Sequence, residues 1–126
     1  SPMARAQQTA NIIAQHIGYP HEDIIVMNDL RERALGDVEG KDYSEAPHHN
    51  GNYEDAENVP GVEPIEELLA RMQRVLKTLQ TRPEKSILIV AHNGCGRMLK
   101  VAIKNGSPMD MYHESRFENA IICRIT

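Results

Sequence analysis

A chain of 126 residues, 40% hydrophobic and 25% charged, has the size and make-up of one soluble globular domain covering residues 1–126. A net charge of −4 argues against a basic nucleic-acid-binding face, and four Tyr, one Phe and no Trp offer no base-stacking surface. Two cysteines are too few for a disulfide framework, and no apolar run reaches the length of a membrane span; with no signal-peptide pattern at its start, the chain is expected to be cytoplasmic, with no membrane or nucleic-acid partner.

Taken in chain order, the first element is a helix over residues 2–17. Ser1 is placed to cap it, Pro2 has the fixed φ of a first helical turn, and Ala6, Ala10, Ile13 and Ile17 recur at helical spacing. Arg5 lies one turn in, where it can share an anion with the free N–H groups of the helix start. Gly18 and Pro20 end this helix. Ile24-Ile25-Val26-Met27 reads as a short buried strand, and residues 41–59, rich in Asn, His, Asp and Glu, read as a loop.

Pro64 opens a second helix running to about residue 81. Its apolar stripe is Ile65, Leu68, Leu69, Met72, Val75, Leu76 and Leu79. Ser86-Ile87-Leu88-Ile89-Val90-Ala91 is apolar on both faces, as a central strand covered by helices would be. A third helix follows His92-Asn93-Gly94 through about residue 104, stopped by Asn105-Gly106-Ser107-Pro108, and residues 119–125 form a last strand. Alternating helices and strands predict an α/β fold with a largely parallel sheet, although three strands are few for one.

Ligands of open α/β sheets bind beyond the carboxyl ends of the strands, near helix N-termini. His92 stands at such an end, before small residues that let a backbone approach closely, and the N–H groups of Asn93 and its neighbours would face an anion held there. From position alone, a site histidine and a strand-capping histidine are both open. Arg31, Glu32 and Arg33 read equally as a solvated charge cluster, and a lone Arg5 as a surface residue. His48 and His49 read as a solvated pair, and His16, His21 and His113 have no partner motif; with no third ligand at a recognisable spacing, no metal and no cofactor are expected. Cys95 reads as a buried, inert thiol, and a redox role with Cys123 has nothing to activate it.

Several of these segments together resemble the histidine phosphatase (phosphoglycerate mutase-like) superfamily. Ser1-Pro2-Met3-Ala4-Arg5-Ala6-Gln7-Gln8-Thr9-Ala10 is similar to its S-P-x-x-R-A-x-Q-T-A signature. Residues 30–40 are similar to L-x-E-x-x-x-G-x-x-E-G, and residues 90–97 to its second histidine motif, an apolar strand before H-G/N-G with an Arg a few residues on. Pro60-Gly61-Val62-Glu63 departs from P-G-G-E-S at Val62 and Pro64, which makes Glu63 a helix-terminus charge, and Asn119-Ala120-Ile121 is similar to N-x-x-I. The resemblance implies a three-layer α/β/α sandwich, phosphoglycerate mutase-like. It implies catalytic roles for Glu32 as proton donor and His92 as a stabiliser of the transferred phosphoryl group. Arg5 and Asn93 would bind the phosphate of a small phosphorylated substrate.

In that family the nucleophile is the His of an Arg-His-Gly motif on a first central strand. None of the six histidines here is preceded by Arg and followed by Gly. The chain is therefore expected to be a fragment lacking that strand, inactive alone, of a phosphomonoester hydrolase that acts through phosphohistidine. A homodimer or a strand-swapped assembly are arrangements that would fill the gap. The short connection between Gly40 and Pro60 favours a phosphatase over a phosphoglycerate mutase; the other alternative is a non-catalytic phosphate-binding or regulatory module.

Overall fold

The structure, a computed structural model, describes residues 1–40, 59–105, 117–118 and 120–124. Three α-helices dominate it: α1 (Ala4–Ile17), α2 (Ile65–Gln80) and α3 (Asn93–Lys104). Short 3₁₀ turns at His21–Asp23, Asn28–Leu30 and Gly36–Val38 connect α1 to the later part of the chain. None of the described helices is long and apolar enough to cross a membrane.

Helix α1 starts two residues later than the sequence suggests. Met3, in extended conformation, is its cap residue, and Ser1 Oγ accepts a 3.2 Å bond from the Met3 N–H without bonding an N–H of the helix itself. Gly18 closes α1 in the left-handed conformation (φ 69°), its N–H returning to the Ala14 carbonyl, as expected of a glycine at that place. Only Ala6 and Ala14 of α1 are buried, while Ile12 and Ile17 stay exposed.

Helices α2 and α3 pack on each other and on the 28–30 turn, and the core lies between them. Ile65, Leu68, Met72 and Val75 of the predicted stripe are fully buried, against Cys95, Met98 and Val101 from α3. Leu69, Leu76 and Leu79 sit at the margin of this cluster. Glu66 and Glu67 in the first turn of α2 and Lys77 in its last complement the helix dipole. Asn105 ends α3 in the left-handed conformation (φ 50°), where the sequence places the stop.

The predicted strands take a different form. Among the described residues 24–27, 86–91 and 120–124 carry no strand ladder, and the bridge between Leu35 and Val62 is isolated. Apolar character and extended backbone are not enough for a strand, because the ladder needs a hydrogen-bonding neighbour on at least one side. The expected sheet, and with it the three-layer sandwich, is thus not formed among the described residues. Apolar side chains of these segments face solvent instead, with Leu88 55% and Ile122 85% exposed. The loop expected at 41–59 lies, apart from Val59, outside the described residues, as do His48, His49, His113, Asn119 and the Gly106-Ser107-Pro108 stop.

The chain crosses from residue 40 to residue 59 between two segments that are themselves clasped. Asp37 N–H donates to the Pro60 carbonyl (3.2 Å) and Glu63 N–H to the Ala34 carbonyl (2.9 Å), flanking the Leu35–Val62 bridge. Gly36 makes the contact so close that a Cβ there would lie 2.1 Å from the Pro60 oxygen. Its φ of +55° also belongs to glycine.

Candidate active site at the start of helix α3

His92 is the cap residue of α3, extended at φ −131°, and its half-buried imidazole faces the beginning of the chain. Its Nε2 lies 2.8 Å from Ser1 Oγ, and the Ser1 ammonium donates to the Val90 carbonyl at 3.3 Å. The two motifs that begin α1 and α3, some ninety residues apart, therefore meet at one point. Burial pushes the His92 imidazole below its ordinary value. Glu32 acts in the opposite direction, whereas the charges of Arg5, the Ser1 ammonium and Arg71 reinforce the lowering. Arg5 is exposed, and its positive charge acts on the His92 imidazole.

Glu32 reaches the same helix start from the other side. Its Oε2 accepts from the Gly94 N–H (3.3 Å), and its Oε1 accepts from the N–H groups of Cys95 (3.3 Å) and Arg33 (3.0 Å). A carboxylate is well placed there, since the first N–H groups of a helix lack partners and carry partial positive charge. Oε1 thus accepts from two backbone N–H groups and Oε2 from one, so both carboxylate oxygens are engaged at the helix start. Two of the N–H groups that the sequence assigns to an anion thus hold the Glu32 carboxylate in this structure.

Asn93, predicted to bind phosphate, is exposed and donates from Nδ2 to the Phe117 carbonyl at 2.8 Å. The Phe117 ring lies over the start of α3, with Lys100 Nζ 4.2 Å from its centre. A Cβ on Gly96 would lie 3.0 Å from the edge of that ring, so a larger residue there would require the ring to shift. The structure therefore brings Glu32, His92 and Asn93 to one end of α3, where the charge of Arg5 is also felt. Among the described residues no group of three or more His, Cys, Asp or Glu side chains gathers as a metal site would require.

Beneath this surface lies a layer that the sequence reading missed. Arg33, Arg71 and Arg97 are all buried. Arg71 forms a two-pronged ion pair with Glu63, Nε to Oε1 at 2.5 Å and the second nitrogen to Oε2 at 2.6 Å. Its remaining nitrogen donates to the carbonyls of Asp29 (2.5 Å) and Arg31 (2.8 Å). Burial opposes the charge of this guanidinium more than any single partner favours it, but its bonds to Glu63 and Cys95, together with the Glu63 charge, hold Arg71 firmly protonated. Glu63 is accordingly the buried partner of Arg71, and its carbonyl accepts from Arg33 Nε at 2.8 Å. Cys95 is fully buried; its thiol donates to the Arg31 carbonyl (2.6 Å), and burial pushes it up to about 11. The signal for Arg71 was present in the sequence. It falls three residues after Leu68 and four before Val75, on the face of α2 that otherwise carries the core.

The chain is 36% identical over 127 residues to a Bacillus subtilis (strain 168) protein named uncharacterized phosphatase PhoE, a match covering 99% of this chain and 61% of that protein. It is 32% identical over 108 residues to phosphoglycerate mutase-like protein 4 of Arabidopsis thaliana, covering 79% of this chain and 46% of the plant protein. The chain thus spans about half to three-fifths of the length of these relatives. No solved structure matches it significantly. The family model of the histidine phosphatase superfamily (branch 1) matches residues 1–126 from end to end, and the chain belongs to that superfamily.

Proposed function

We propose that the chain is the acid-bearing and phosphate-binding part of a phosphomonoester hydrolase that works through a phosphohistidine. The observation that carries this reading is the convergence of His92 and Glu32 at the start of α3, where the charge of Arg5 also acts. In the reaction, the nucleophilic histidine, which is none of the six present, attacks phosphorus as the ester P–O bond breaks. The leaving oxygen takes a proton from Glu32, which enters this step in its protonated form and leaves it as the carboxylate. His92 and Arg5 balance charge on the phosphoryl oxygens, and Asn93 lines the same end of the helix. Water then gives a proton back to Glu32 and breaks the P–N bond, releasing phosphate. In the whole protein, residues 24–27, 86–91 and 120–124 would join the central sheet of a three-layer sandwich, and reduced Cys95 and Cys123 suit a cytoplasmic setting.

A mutase reading is favoured by the name of the plant relative, a phosphatase reading by that of the bacterial one and by the short 40–60 connection. The full-length protein separates them when given 3-phosphoglycerate with a bisphosphoglycerate primer. Release of inorganic phosphate is expected, through an acid-labile, base-stable phosphoenzyme. Rapid isomerisation without phosphate release would overturn the hydrolase reading.

A further inference from the structure

The residues that touch Glu32 explain where its carboxylate rests, but not why the segment carrying it stays in place. The backbone of residues 29–33 belongs to no α-helix and to no ladder. It is gripped from α2 instead. One nitrogen of Arg71 bonds both the Asp29 and Arg31 carbonyls, on either side of buried Leu30 and immediately before Glu32. One turn further along α2, Arg74 bonds the Asp29 carboxylate through Nε (3.1 Å) and a terminal nitrogen (3.0 Å). From α3, the Cys95 thiol bonds the Arg31 carbonyl while the Cys95 N–H bonds Glu32. The guanidinium of Arg71 is itself fixed by both oxygens of Glu63.

A buried ion pair is a poor way to gain stability, because desolvation offsets most of the attraction and an apolar side chain would fill the same space. It is a good way to fix direction, because a planar fork bonds its partners in only one orientation. We propose that Arg71 is a positioning residue for proton transfer: held by Glu63, it sets the 29–31 backbone so that the Glu32 carboxylate faces the reacting ester beside His92. This rests on the reading of Glu32 as the acid. Arg71 touches no substrate and acts only through Glu32.

A proton on the leaving oxygen matters when the leaving group is an alkoxide and little when it is nitrophenolate, which departs as a stable anion. The test is therefore kcat/KM of the full-length protein on glycerol 2-phosphate and on p-nitrophenyl phosphate, for Arg71→Met, Arg71→Lys and Glu32→Gln. Displacing or removing the acid is expected to lower the glycerol phosphate value about tenfold to a hundredfold and the nitrophenyl value by less than about threefold. Arg71→Lys keeps a charge against Glu63 but cannot span both carboxylate oxygens and two carbonyls. It should show the same split, and it decides the matter if Arg71→Met does not fold. Equal losses on both substrates in Arg71→Lys, or none, would overturn the positioning role while a split in Glu32→Gln leaves the acid assignment standing. No split in Glu32→Gln would remove the acid assignment and the proposal with it.

Discussion

His92 holds its imidazole half-buried against Ser1 with three positive charges acting on it, and burial leads the resulting preference for the neutral form. Its folded-state pKa therefore lies below the ordinary 6.5, so the unfolded chain binds the proton more readily than the folded one. The sign follows directly. The contribution to stability is complete above about pH 6.5 and is lost as pH falls from there through the lowered folded value. Urea unfolding of the chain at a series of pH values should show this decline, and His92→Gln should flatten it. An anion bound beside His92 reverses the local field, so added phosphate is expected to shrink the same decline. At this scale much of the site was legible, because Arg5, Glu32 and His92 stand at fixed offsets in recognisable segments. Arg33 was not: a charge between charges looks solvated, and only the fold shows that it turns inward to the Glu63 carbonyl.

Elements α2 and α3 were legible for a physical reason. Their apolar periodicity is the property that buries them, so the stripe from Ile65 to Val75 and the buried face of α3 follow from the same pattern that identifies them. The start of α1 was misjudged by two residues because Ser1 has the chemistry of a cap but spends its hydroxyl on His92 and Met3. The clasp between residues 34–37 and 60–63 could not be read at all, since it joins two irregular segments through backbone groups that look alike in every residue. Gly36 is its visible trace. Gly36→Ala should cost about 1–3 kcal/mol from the left-handed backbone alone, and more because the new Cβ strikes backbone atoms of residues 60–62 that cannot rotate aside. Chemical denaturation would measure it; Gly40→Ala is the control, left-handed as well (φ 79°) but with open space around it.

At the scale of the whole molecule the strands are the outstanding difference. Superfamily membership places the chain in the α/β class, and the sequence marks three apolar segments that such a fold would use as strands. Sequence periodicity registers a segment's preference for burial but not whether a neighbour is there to pair with it. Among the described residues Ile25, Val26, Leu88 and Ile122 are all at least half exposed, beside backbone groups that carry no ladder. Exposed apolar segments with unpaired edges invite association. Sedimentation velocity of the chain alone should therefore show self-association that rises with concentration, and Leu88→Lys with Ile122→Lys should suppress it. Unchanged association in that double variant would place the sticky surface elsewhere.

The clasp at Gly36 also separates a stretch of chain whose length is free to change from one whose ends are fixed. Residues 34–37 and 60–63 are fixed to each other by their own backbone bonds, so the chain joining residue 40 to residue 59 enters and leaves at pinned points. Its length can change at little thermodynamic cost, about 0.6 kcal/mol for each doubling. Glu32, Glu63 and Arg71 lie on the pinned side of that boundary. A lineage can thus lengthen, shorten or rewrite the intervening residues while Glu32, Glu63 and Arg71 stay where they are.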